Sequence, residues 1–209
     1  MVDASEEFVE PSDGVVASIL GACLSSRCEH YLLKRGIGLP ILSITALLIA
    51  CGSCIAFIFY STFSGGCLAL FHMIFCWLSW RMAQLNQSPP FWNVLGSTFD
   101  RLGEALLFSG IIFSHFLVGR LELVTGILSL VGSLTISYTA VRSGREFRRF
   151  IWTRFSAYGA TRDVRVSILA VTGMLGIVSW GVTCLAVLTF AVLIARFKVL
   201  FSFSSLNKS

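Results

Sequence analysis

The stretch Ser88-Pro89-Pro90-Phe91-Trp92-Asn93-Val94-Leu95-Gly96-Ser97-Thr98-Phe99-Asp100-Arg101-Leu102-Gly103-Glu104-Ala105-Leu106-Leu107-Phe108 runs a polar stripe into an apolar one. Ser88 suits an N-cap and the prolines suit a first helical turn, so the spacing predicts one helix from near Pro89 through Val118. At about 1.5 Å per residue Asp100 then lies roughly 15 Å into that helix. Asn93, Gly96, Ser97, Asp100 and Glu104 recur at helical spacing along one face. An ionisable side chain inside a membrane helix is costly unless it meets a partner or a wet cavity, which makes Asp100 the first candidate site residue. The plainer alternative is an acid near the interface that reaches back to water.

The rest of the chain supplies the membrane. Of 209 residues 56% are hydrophobic and 13% charged, and the mean hydropathy is +0.82, a balance that excludes a water-soluble domain of this size. Apolar runs predict six spans: Leu39 to Tyr60, Gly66 to Ala83, Phe99 to Val118, Leu121 to Ala140, Val164 to Gly176 and Ile177 to Phe197. The fifth is short unless its helix starts ahead of it, between Arg154 and Asp163. The expected fold is therefore an all-α integral membrane protein of six transmembrane helices preceded by an amphipathic interfacial helix. In domain terms, residues 1 to 12 form a disordered acidic tail, 13 to 36 the juxtamembrane helix, 37 to 200 the membrane domain and 201 to 209 a C-terminal tail. No secretory signal is legible in the acidic start of the chain.

Basic residues sort by side. Fifteen of the 16, all but Arg120, fall in segments that alternate inward, so both termini are expected in the cytoplasm. Seven of these are arginines between Arg142 and Arg165. Arginine offers planar, bidentate recognition of phosphate, which makes Arg142, Arg145 and Arg162 candidate substrate-binding residues. Anchoring to anionic lipid headgroups explains the same cluster more simply, and nucleic acid is not expected as a partner because the patch is pinned to the membrane. The seven cysteines read mostly as small buried hydrophobes; Cys51 and Cys54 have redox or zinc spacing but no second pair.

On Phe99-Asp100-Arg101 and Glu104-Ala105-Leu106-Leu107-Phe108, with Thr161-Arg162-Asp163-Val164-Arg165 and Ser137-Tyr138-Thr139-Ala140-Val141-Arg142, the sequence resembles the CDP-alcohol phosphatidyltransferase family. That resemblance, over roughly residues 37 to 198, implies a six-span enzyme of phospholipid synthesis that transfers a phosphatidyl-type group from a CDP-alcohol to an acceptor alcohol. The family signature is D-x2-D-G-x2-A-R-x8-G-x3-D-x3-D. Its four carboxylates hold two divalent cations, Mg²⁺ or Mn²⁺, and the last aspartate serves as base. Counting back from Asp100 at fixed spacing puts Gly96, Trp92, Ala83, Met82, Ser79, Leu78 and Phe75 on the other specified positions, so only Asp100 remains for the catalytic and metal roles.

Hard cations need oxygen ligands, and Phe75, Leu78 and Gly96 supply none from their side chains. The expected function is thus a family-like membrane protein with a degenerate catalytic centre, a pseudoenzyme subunit or lipid-binding partner. It would contact membrane lipids and form a homodimer or a heteromer with an active homologue. The alternatives are an active transferase that takes a CDP-alcohol with Mg²⁺ or Mn²⁺, and a small helical transporter or channel. Left without metals, Asp100 is expected to pair with Arg81 or Arg142.

Overall fold

A computed structural model describes residues 31–32, 34–59, 61–85, 89–116, 120–142 and 161–206, together with Ile19. Among these the secondary structure is all helical. Six helices follow in order: α1 (Leu39–Ile58), α2 (Thr62–Leu85), α3 (Pro90–Phe116), α4 (Arg120–Arg142), α5 (Arg162–Met174) and α6 (Val178–Leu206). The expected acidic tail, nearly all of the interfacial helix and Arg145 lie outside the described residues.

The local reasons are readable. Pro40 occupies the first turn of α1 and Pro90 opens α3, positions where a missing backbone N–H costs nothing. Asp163 in the first turn of α5 meets the positive end of the helix dipole. The helix ends in a left-handed glycine, Gly176 at φ 72°, with the Ile177 N–H donating to the Thr172 carbonyl and the Gly176 N–H to that of Gly173. This double bond pattern closes the helix and turns the chain directly into α6.

Three helices are long and apolar enough to cross a bilayer: α1, α2 and the Val178–Lys198 part of α6. The protein is an integral membrane protein. The charges of Asp100, Arg101 and Glu104 interrupt the apolar run of α3, a 27-residue helix that spans about 40 Å. By the same measure α5, with 13 residues, reaches only about 20 Å, less than a hydrocarbon core. It starts at Arg162, two residues ahead of the expected fifth span, and α6 continues beyond the expected Phe197 to Leu206.

α1 packs along α2 and α3, α5 lies across α2, and α4 pairs with α6. The main core joins Phe57 of α1, Met73 of α2, Leu107, Phe108 and Ile111 of α3, Leu169 of α5 and Leu185 of α6. Two crossings bring backbones together. A side chain at Gly66 would stand 2.5 Å from the Met174 nitrogen, and one at Gly110 would stand 2.7 Å from the Cys54 backbone. Small residues at crossings are how membrane helices gain close packing where lipid tails compete with apolar side chains.

Candidate functional site

Asp100 and Glu104 stand one turn apart on the inner face of α3, while Arg162 and Arg165 stand three residues apart on α5. The helices cross so that the four side chains form two rungs. On the deep rung the Arg165 Nε donates to Glu104 Oε1 at 2.7 Å and Nη2 to Oε2 at 3.1 Å, with both side chains 2% exposed. Ser133 of α4 donates a third bond to Oε1 at 2.6 Å. Glu104 thereby ties α3, α4 and α5 together, and its charge is met by a fork of matching geometry. On the outer rung Arg162 Nη1 lies 2.5 Å from Asp100 Oδ2, and these side chains keep 22% and 20% of their surface.

A third group of residues closes the rungs from the α2 side. His72 is buried and its Nδ1–H donates to the Ala46 carbonyl of α1 at 2.9 Å, which leaves Nε2 as the acceptor nitrogen. Its ring lies on Gly103, where a Cβ would stand 2.4 Å from the imidazole Cε1, so the site needs glycine there. One turn along α2, the Cys76 sulfur is 3.6 Å from His72 Nε2, and its thiol lies beside the Asp100 carboxylate. Next comes Ser79, whose hydroxyl shares a 2.7 Å bond with Ser43 of α1; a Cβ on Gly96 would meet the same Ser43 oxygen at 3.2 Å.

This stepping places other side chains against α3 than the register read from the sequence. Counting at fixed spacing assigned Phe75 and Leu78 to the first two aspartate positions. The residues that face α3 are Cys76 opposite Asp100 and Ser79 near Gly96, a pair with the same x2 spacing displaced by one. Leu78 is instead buried with Leu42, Trp77 and Met82, and Phe75 packs against that cluster. The mark of that face was His72, Cys76 and Ser79 at i, i+4 and i+7 in an otherwise largely apolar helix.

The ion pair expected for Asp100 is present, with a different partner. Arg162 holds it, where Arg81 or Arg142 was expected. Arg81 and Arg142 lie at the ends of the second and fourth helices, whereas the Gly66 crossing seats α5 against α2 and brings its first turn to Asp100. The backbone of Arg142 closes α4, and its side chain lies outside the described residues. Glu104 and Arg165 were the residues that sequence reasoning undervalued. The signal was available: R-x-x-R on one helix is a charge complement to D-x3-E on another.

The donor set does not fit a pair of hard divalent cations. Asp100 is engaged by Arg162, Glu104 by Arg165 and Ser133, and the facing positions hold a thiol, a hydroxyl and a glycine. Among the described residues no three His, Cys, Asp or Glu side chains are grouped to hold a metal ion. Hard cations take carboxylate, carbonyl or water oxygen, several at once.

Because the outer rung is wet, Asp100→Asn is expected to cost only about 1 kcal/mol or less in thermal unfolding in detergent. A loss several times larger would place Asp100 in a dry environment that its exposure contradicts.

Helix order, the short α5 and the site between α2, α3 and α5 define an all-helical membrane bundle. No family profile matches the chain. Over 90 residues it is 39% identical to a bifunctional IPC transferase and DIPP synthase of Rubrobacter xylanophilus, a match that covers 43% of this chain and 20% of that protein. The chain thus spans about a fifth of the length of the curated relative it matches. Its fold is similar to the phosphatidylinositol phosphate synthase PgsA1 of Mycobacterium tuberculosis. The apo form gives a TM-score of 0.68 at 21% identity, covering 84% of this chain and 95% of that one. The form with CDP-DAG bound gives 0.66 at 21% identity over 82% and 90%, and the complex with manganese and citrate gives 0.64 at 20% over 84% and 88%. The chain is related to the CDP-alcohol phosphatidyltransferase family.

Proposed function

We propose that this chain is a non-catalytic member of the phosphatidyltransferase fold, in which arginine side chains have taken over the charge neutralisation that divalent cations provide in active relatives. One observation carries the reading: the Arg162 guanidinium sits on Asp100 at 2.5 Å, and Cys76, Ser79 and Gly96 occupy the neighbouring positions where carboxylates would be needed. Phosphoryl transfer depends on positioning and on neutralising pyrophosphate charge, and a carboxylate already paired with a fixed cation is a poor base for an attacking hydroxyl.

In this reading the chain serves phospholipid metabolism as a lipid-binding subunit, as a homodimer or beside an active homologue. Both termini face the cytoplasm, and Arg142, Arg145 and Arg162 meet phosphate there. The similar structure with CDP-DAG bound supports a ligand of that chemistry, and another form of that protein was solved in complex with manganese and citrate.

The test is CMP release. Purified protein supplied with CDP-diacylglycerol, an acceptor alcohol and Mn²⁺ or Mg²⁺ is expected to release no CMP above a protein-free control. Cation-dependent turnover that disappears in Asp100→Asn would overturn the proposal in favour of a working transferase.

A further inference from the structure

The two rungs differ in a way that metal replacement alone does not require. The deep rung has three hydrogen bonds and no access to water; the outer rung is a single contact between side chains that are each about one-fifth exposed. At its C-terminal end α5 is pinned by backbone contact, since a Cβ on Gly173 would stand 2.9 Å from the Gly66 Cα. Its first turn is fastened to α3 twice, by Arg165 on the buried Glu104 and by Arg162 on the half-wet Asp100 at the very start of the helix.

We propose that the Asp100–Arg162 pair is a latch, opened when a phosphate-bearing anion takes Arg162 from Asp100. The proposal rests on the reading of Arg162 as a phosphate contact but not on the absence of turnover.

What favours an anion over a cation as the opener is what each would leave behind. When Arg162 departs, Asp100 keeps access to water, its side chain being about one-fifth exposed. A cation captured by Asp100 would instead leave Arg162 without that carboxylate, and the other acid of the site, Glu104, is already held by Arg165. An anion taken by Arg162 finds further donors at hand. Thr161 caps α5 with no side-chain bond to the helix; more than nine-tenths of it is buried, and its hydroxyl has no partner among the described residues. The first-turn N–H groups that such a hydroxyl would otherwise help to satisfy point the same way, out of the positive end of the helix. Beside Asp163 of the same turn, a guanidinium and a hydroxyl with no partner among the described residues offer a tetrahedral oxyanion more donors than one carboxylate could use.

Opening would uncover Cys76, which is 1% exposed behind the latch and so is a built-in reporter. The experiment uses the full chain in nanodiscs with Cys23, Cys28, Cys51, Cys54, Cys67 and Cys184 changed to alanine, and follows alkylation of Cys76 by a small maleimide. Inorganic phosphate is added in one arm, and phosphatidic acid replaces part of a neutral lipid in the other. Chloride at matched ionic strength is the control.

The expected result is a rate at least ten times higher in one or both phosphate arms than in chloride. A response to inorganic phosphate identifies a free anion as sufficient, whereas a response confined to phosphatidic acid assigns the role to a lipid headgroup. Arg162→Gln should be fast without phosphate and indifferent to it; if that variant does not fold, Asp100→Asn should be fast without phosphate for the same reason. An unchanged rate in both phosphate arms, or an equal rise in chloride, overturns the latch. CMP release decides the pseudoenzyme reading separately, so the two can fail independently.

Discussion

Arg165→Ala is expected to lower the stability of the detergent-solubilised protein by about 3 to 5 kcal/mol, the cost of stripping one partner from a buried ion pair. The cost arises less from the lost attraction than from what remains. Glu104, 2% exposed, would keep one bond from Ser133 and no cation, in a bundle where water cannot replace the guanidinium. Glu104→Ala should cost a similar amount by stranding Arg165. The decisive measurement is the double variant Glu104→Leu, Arg165→Met, which removes both charges and fills much of the volume. It should recover most of the loss, because apolar replacement of a whole buried pair is often neutral or better. A double variant as unstable as the sum of the two singles would show that the two residues act apart, and the rung would lose its role as the joint of α3, α4 and α5.

The contrast between this rung and the outer one shows what the sequence could and could not reveal. The helices were legible where apolar runs are long, as in α1, α2 and α6, or where a start is marked, by Pro40 in α1, Pro90 in α3 and Asp163 in α5. Asp100 stood out because an acid in an apolar run demands a reason. Its partner did not, because Arg162 is more than 60 positions away and arrives only through the crossing of α5 over α2, which no local period encodes. The face of α2 that meets α3 was legible in principle, because His72, Cys76 and Ser79 recur at i, i+4 and i+7, but the count from the signature pointed to Phe75 and Leu78 instead; the contact of His72 with Gly103 decides it. The absence of a complete carboxylate set survived the correction, since neither register offers an acid on α2.

That crossing is also where the second large effect is expected. Gly66→Val should destabilise the fold by about 3 kcal/mol, at the upper end of the usual cost of overpacking. The estimate is high because what the new side chain meets cannot move aside. A Cβ would lie 2.5 Å from the Met174 nitrogen, 2.6 Å from the Ala170 carbonyl oxygen and 2.9 Å from the Gly173 carbonyl carbon, all backbone atoms. Side chains escape such contacts by changing rotamer, but a helix must translate. Moving α5 away from α2 carries Arg162 and Arg165 with it, so the variant should also expose Cys76 to alkylation without any anion, linking the packing defect to the site. Gly52→Ala on α1 is the matched control: its nearest neighbour would be the Leu68 Cδ1 at 3.7 Å, an ordinary van der Waals distance, and its cost should be near zero. Equal stability of the two variants in thermal unfolding would mean that α5 is not seated by the Gly66 contact, and the position of both arginines would then need another cause.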